Sequence, residues 1–199
     1  LKQNLLPQDG TVIHHGPLLT ETEATATFTA LITELPWQHD EVRLFGKRIV
    51  TARKVSWHGD LPFSYTYSGI PRTAQPWTPT LAALKARIET ATDTTYNSCL
   101  ANLYHTGTEG MAWHSDDEPM LLAHAPIASL SLGAPRRFDF KHKKDHSLRA
   151  SILLEHGHLL LMLNDTQTHW LHALPKTQKI QAPRINLTFR TINTVGVKA

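Results

Sequence analysis

The sequence predicts a mainly β protein, an all-β sandwich or jelly roll buttressed by helices near its N-terminus. Three observations carry that expectation. Beyond about residue 95 the chain breaks into short alternating or wholly apolar runs bounded by Gly, Pro, Asn and Asp. Before it lie two stretches with helical spacing. With 199 residues and no internal repeat or low-complexity linker, one domain spans 1–199.

The first helix is expected over Glu21–Leu35, with Ala24, Phe28, Leu31, Ile32 and Leu35 on one face and Thr20 as its cap. The second starts after Thr78, with Pro79 in the first turn and Leu81, Leu84, Ile88 and Ala91 as its stripe. Between them, about 41–76 is rich in aromatic, basic and turn residues and reads as a surface lid. Strands are expected at Asn97–His105, Ile127–Leu132, Phe138–Lys141, Ala150–Leu154, His158–Leu163 and Arg184–Ile192, so that about 95–192 forms the β core.

Composition then removes function classes. A single cysteine, Cys99, excludes an internal disulfide, an all-cysteine zinc site and an iron–sulfur cluster, and fits a reducing compartment. The expected location is the cytoplasm, or the nucleus of a eukaryote. The apolar run Leu159–Leu163 is far short of the roughly 18–20 residues of a membrane span, and no basic-then-apolar leader is visible, so no membrane partner is expected. A net charge of +3 is too small by itself to demand a polyanion. Nucleotide-binding glycine motifs, Gly-x-Ser-x-Gly and His-Glu-x-x-His do not occur.

Thirteen histidines, against a background of about 2% of residues, invite a metal site without thiolates. His-x-Asp occurs at His58-Gly59-Asp60 and at His114-Ser115-Asp116. Chance gives about 0.6 such matches at this composition, so the motif alone decides nothing. His58 has no later partner in register and is set aside. His114 and Asp116 are followed by His172, and two histidines with one carboxylate leave open positions on a non-haem iron. The competing reading makes His169 and His172 core residues beside Trp170.

Arg184 to Arg190 alternates strictly, placing Arg184, Asn186, Thr188 and Arg190 on one face of a strand and Ile185, Leu187 and Phe189 on the other. Two arginines on an inner face need anions. Their Cα atoms would lie about 20 Å apart, and inward-leaning side chains leave a gap that a short dicarboxylate could bridge. Beside an iron triad, that suggests 2-oxoglutarate. The alternative is a polar face that is merely solvated.

With these residues in hand, the chain resembles the AlkB family of Fe(II)- and 2-oxoglutarate-dependent dioxygenases, closest to the branch with the double-strand DNA repair homologues. The resemblance runs from about Leu44 to Ile192. It rests on Asn102-Leu103-Tyr104, His114-Ser115-Asp116-Asp117-Glu118, Pro126-Ile127-Ala128-Ser129, His169-Trp170-Leu171-His172 and Ala182-Pro183-Arg184 through Arg190. It implies a double-stranded β-helix with an N-terminal nucleotide-recognition lid. It implies Fe(II) on His114, Asp116 and His172, with O2 as the other reactant. Asn102, Tyr104, Arg184, Thr188 and Arg190 would hold 2-oxoglutarate, Arg184 at the distal carboxylate and Arg190 nearer the metal; Asn186 shares their face.

The implied activity is oxidative demethylation of N-alkylated DNA bases such as 1-methyladenine and 3-methylcytosine, releasing formaldehyde, succinate and CO2. Glu118 matches a carboxylate that favours cationic bases; otherwise it is an ordinary loop acid. Phe45, flanked by cations, resembles a hairpin wedge that enters the duplex, or else it anchors the hairpin. Tyr67 matches the aromatic that stacks on the flipped base, and Tyr65 contacts backbone or base edge. Arg53, Lys54 and Arg72 are expected phosphate contacts, as are Lys141 and Lys143 in the basic run Arg136–Lys144. The loop after Lys144 is short and Lys176–Lys179 is weakly basic, so duplex and single-stranded DNA both remain open. The other readings are an oxygenase acting on methylated RNA or protein, and a silent nucleic-acid-binding module. A monomer is expected.

Overall fold

Strictly alternating strands need two environments, one apolar and one not, and the fold provides them. The structure, a computed structural model, describes residues 3–44, 47–67 and 70–194, with the backbone alone for 42–44, 47–48, 65–67 and 70–71. Its strands are β1 (Thr11–Pro17), β2 (Gln38–Leu44), β3 (Lys47–Gly59), β4 (Ser64–Tyr67), β5 (Ile70–Thr73), β6 (Ser98–Tyr104), β7 (Met111–His114), β8 (Ile127–Gly133), β9 (Arg136–His142), β10 (Arg149–Leu154), β11 (His158–Leu163), β12 (Trp170–Leu174) and β13 (Arg184–Arg190). Helices α1 (Glu21–Glu34) and α2 (Pro79–Thr92) precede the β core, and a single turn, α3 (Thr166–His169), leads into β12.

Seven strands form a large sheet in the order β1-β11-β8-β13-β6-β3-β2, four form a smaller one, β10-β9-β12-β7, and β4-β5 is a separate hairpin. The pairing is antiparallel throughout. Two facing antiparallel sheets with crossed connections make a jelly roll.

The alternation of β13 is realised in full. Ile185, Leu187 and Phe189 enter the cluster formed with Leu31, Leu81, Leu84 and Ile88 of the helices, while Arg184, Asn186, Thr188 and Arg190 face the smaller sheet across a cavity. β6 and β8 follow the same division, with Cys99, Ala101, Leu103, Leu130 and Leu132 toward the helices. The leucine run of β11 is apolar on both faces. Leu159 and Leu161 join the helix-side cluster, and Leu160 and Met162 join an inter-sheet cluster with Ile127, Phe140 and Trp170.

The caps are as expected. Thr20 and Glu23 form a reciprocal capping box on α1, and the Thr78 hydroxyl accepts from the Leu81 N–H at the start of α2. Two stripe residues differ from expectation: Ile32 is 37% exposed, and Ala91 is also exposed. Both lie on the flanks of stripes too narrow to bury them.

Strands β1 to β5, β7 and β12 lie outside the sequence-based strand expectation. β1 carries two histidines and a register shift between His14 and Gly16, which blurs its period. β7 and β12 are short and read as loop and motif. Lastly, β3 is not surface: it pairs with β6 from Lys54 to Gly59, and Val55, Ser56 and His58 are buried. The part of 41–76 expected to lie outside the core therefore supplies one of its strands. At the β8–β13 junction Gly133 has φ +87, and a Cβ there would lie 2.5 Å from the Pro183 carbonyl oxygen, so this crossing needs glycine.

Candidate metal and co-substrate site

β7 and β12 are neighbours in the smaller sheet, and their register sets His114 directly opposite His172. Same-face cross-strand side chains approach closely; here the ring centroids are 4.2 Å apart. Asp116 follows two residues beyond β7. Its Oδ1 lies 3.8 Å from His114 Nε2 and 3.9 Å from His172 Nε2. Among the described residues this is the one group of His, Cys, Asp or Glu side chains converging in this way, its donor atoms all within 4.8 Å.

Local contacts prepare the donors. His114 Nδ1 donates to the Ala112 carbonyl at 2.8 Å, leaving the Nε2 lone pair toward the cluster. The Asp116 backbone N–H donates to Gln167 Oε1 at 2.9 Å, tying the ligand loop to α3. Burial drives the pKa of His172 down to about 4, with Asp116 opposing, so the ring is neutral at pH 7. Burial also works against ionising Asp116, but Arg190, His172 and His114 outweigh it and hold its carboxyl below the ordinary range. Neutral imidazoles and a carboxylate are the donor set a divalent iron requires.

The cavity beside this cluster, ≈ 320 Å³, is floored by β6, β8 and β13. Register places Tyr104 opposite Arg184 and Asn102 opposite Asn186. Arg184, 2% exposed, donates through Nη2 to Ser131 Oγ and Asn186 Oδ1, both at 2.8 Å, and lies over the Tyr104 ring. Its Nε has no hydrogen-bond partner, and among the described residues no carboxylate pairs with it. Burial pushes its pKa down to about 10. A buried guanidinium short of an anion is costly, so the donor set fits a carboxylate ligand in this cavity. Asn186 Nδ2 donates to Thr188 Oγ1 at 2.9 Å, extending the polar row along β13. Arg190 lies at the metal end, 3.9 Å from Asp116 Oδ1 and 3.2 Å from Glu118 Oε1.

Other expected site residues are placed differently. Arg53 does not face outward to a phosphate. It is buried, ion-pairs with Asp40 and donates to Asn102 Oδ1 at 2.5 Å. Arg72 also pairs with Asp40 and donates to the Glu41 carbonyl. Lys54 lies on the other face of β3, opposite Leu103 of the helix-side cluster. In the basic run, Arg136 is buried and spends its charge on the carbonyls of Glu109 and Pro175. Lys143 donates to the Gln167 carbonyl and lies 3.5 Å from Asp117, while Lys141 sits over the Trp113 ring. Phe45 and the side chains of Tyr65 and Tyr67 lie outside the described residues; the β4 backbone pairs Tyr65 with Arg72 and Tyr67 with Ile70.

His58, set aside on spacing, is buried, with Nε2 bonded to Ser56 Oγ and Nδ1 donating to the Pro76 carbonyl. Sequence reasoning did not single out Asp40 or Gln167. An acid at the register shift within β2 carries no motif, and Gln167 acts through a backbone contact 51 residues away in sequence.

Fold and site together define a jelly-roll protein with a two-histidine, one-carboxylate face beside an anion-seeking cavity. The 2OG-Fe(II) oxygenase superfamily profile matches residues 10–190. The chain is 42% identical over 158 residues to bovine DNA oxidative demethylase ALKBH2, covering 76% of this chain and 57% of that one. It is 37% identical over 197 residues to mouse ALKBH2, covering 94% and 82%. It is 41% identical over 179 residues to bovine alpha-ketoglutarate-dependent dioxygenase alkB homolog 3, covering 85% and 62%. The solved structure of OsALKBH1 superposes with a TM-score of 0.66 over 90% of this chain and 97% of that one, at 16% identity, a likeness of fold. The chain belongs to the AlkB family of the 2OG-Fe(II) oxygenase superfamily. It spans less than two thirds of the two bovine relatives.

Proposed function

We propose that this chain is an Fe(II)- and 2-oxoglutarate-dependent dioxygenase that demethylates N-alkylated DNA bases such as 1-methyladenine and 3-methylcytosine. The observation that carries the reading is one cavity with two ends: His114, Asp116 and His172 at one, and the anion-short Arg184 at the other. The names of the curated relatives, DNA oxidative demethylases among them, support the choice of substrate.

His114 Nε2, His172 Nε2 and an Asp116 oxygen would hold iron. Arg184, with Tyr104 and Asn186 beside it, would bind the distal carboxylate of 2-oxoglutarate, and Arg190, Thr188 and Asn102 would steady the remainder. Bound iron and 2-oxoglutarate would supply oxidation of the methyl C–H bond by O2, after which the hydroxymethyl group leaves as formaldehyde. The chain's own contribution is placement. Arg184 fixes the co-substrate, while Glu118 presents negative charge at the cavity to a cationic base. The part of 41–76 outside the β3 core pairing would act as the nucleotide-recognition lid, with Tyr67 stacked on the flipped base, Tyr65 at the backbone or base edge, and Phe45 at the duplex. Lys141 and Lys143 would meet phosphates, whereas Arg53 and Arg72 would brace the lid through Asp40.

The test is incubation of the protein with Fe(II), 2-oxoglutarate, ascorbate and oligonucleotides carrying either lesion. Restored base with equimolar formaldehyde is expected. Neither product from single- or double-stranded substrate overturns the reading, and faster release from methylated RNA reassigns the substrate.

A further inference from the structure

The outer face of the smaller sheet carries a feature that the cavity does not use. On β7 the chain turns His114 inward and Trp113 outward, and Trp113 is 38% exposed on the outermost strand of that sheet. Lys141 of β9 places its Nζ 4.7 Å from the indole centroid. Arg149 of β10 stands directly opposite Lys141 in the register. Among the described residues neither Lys141 nor Arg149 has a carboxylate partner, whereas neighbouring Arg137 is neutralised by Asp139 at 2.8 Å.

An exposed aromatic on an edge strand invites unwanted pairing, and solvation alone would be served better by a polar side chain. An exposed indole with two cations lacking carboxylate partners has a specific complement: phosphates that draw the Lys141 ammonium off the ring, and a base that takes its place on the indole. Trp113 directly precedes His114 on this edge strand, and the His114 side chain is itself 32% exposed, so the row starts one residue from the metal end of the cavity. A base within a duplex has both faces occupied by its neighbours, so only an unpaired nucleotide can use such a shelf.

We propose that Trp113, with Lys141 and Arg149, stacks a nucleotide flanking the one inserted in the cavity, and so selects single-stranded DNA. This rests on the demethylase reading for the identity of the inserted base, but its test does not. Anisotropy titrations of the iron- and 2-oxoglutarate-loaded protein under anaerobic conditions would use a labelled, unmodified nine-nucleotide single strand and its duplex. Trp113→Ala should weaken single-strand binding about tenfold and duplex binding less than twofold. Trp113→Phe should retain most of the affinity, and Lys141→Gln should lower the salt slope by about one. Thermal midpoints verify folding, and Lys141→Gln keeps the test open if Trp113→Ala misfolds.

In turnover, the gain in kcat/KM from a methylated mononucleotide to a pentanucleotide should shrink in Trp113→Ala. Unchanged single-strand affinity, equal losses on both substrates, or absence of single-strand binding by the wild type overturns the shelf. A Trp113-dependent affinity in a protein that demethylates nothing leaves the shelf standing and removes the demethylase. Demethylation indifferent to Trp113 does the reverse.

Discussion

Arg184 shows how one side chain can commit a cavity to a ligand class. It has hydroxyl, amide and aromatic neighbours and no carboxylate among the described residues, so its charge awaits an anion. Arg184→Ala should weaken 2-oxoglutarate binding by roughly 10- to 100-fold, the scale of a charge-assisted hydrogen bond pair, and Fe(II) binding far less; separate titrations of each ligand check this. His172 offers a second residue-level expectation. An unfolded chain protonates this ring near pH 6.5, while burial delays protonation in the native state to about pH 4. The unfolded state then binds more protons across that window, so stability must fall as pH falls through it. In metal-free protein the thermal midpoint should drop between pH 6.5 and 4, and His172→Asn should flatten that part of the curve.

Among the elements, the contrast between β13 and β3 explains what the sequence could and could not reveal. β13 alternates strictly because one face meets the helices and the other the cavity, and both environments are written in Arg184–Arg190. β11 is equally legible, since its run of leucines is buried on both sides. β3 carries arginine, lysine, serine and histidine through a strand whose later half is largely buried, and its polar groups are satisfied by partners distant in sequence. Arg53 meets Asp40 and Asn102, and His58 meets Pro76. Composition therefore points to surface. The metal ligands are legible as an ordered motif, but their meeting depends on β7 and β12, two strands too short to announce themselves.

Asp40 joins β2 to β3 and, through Arg72, to the β4–β5 hairpin, while Arg53 reaches Asn102 on β6. Removing its charge leaves two arginines facing each other. Asp40→Asn should cost about 3 kcal/mol in denaturant unfolding. Adding Arg72→Gln should cost less than the sum of the two single changes, because the second substitution relieves the first.

For the molecule as a whole, the site is an agreement between distant parts of the chain. His114 and Asp116 come from one side of the β8–β11 region and His172 from the other, and the last strand of the cavity floor, β13, follows them all. β1 plays a less visible part in the same assembly. It pairs along the outer edge of β11, from Thr11 opposite Leu163 to Pro17 opposite His158, and among the described residues it is the only strand on that side of the sheet. Without it, five consecutive residues, Leu159–Leu163, would present an unpaired, uncharged ladder of backbone groups to other chains. Deleting residues 1–17 should therefore turn a dispersed protein into one that self-associates through β11. Light scattering should rise with concentration, and Leu163→Lys in the truncated chain, at the partly buried end of β11, should suppress it by placing a charge on the exposed strand. β1 is thus a guard against aggregation, holding the chain's most adhesive segment out of reach of its own copies.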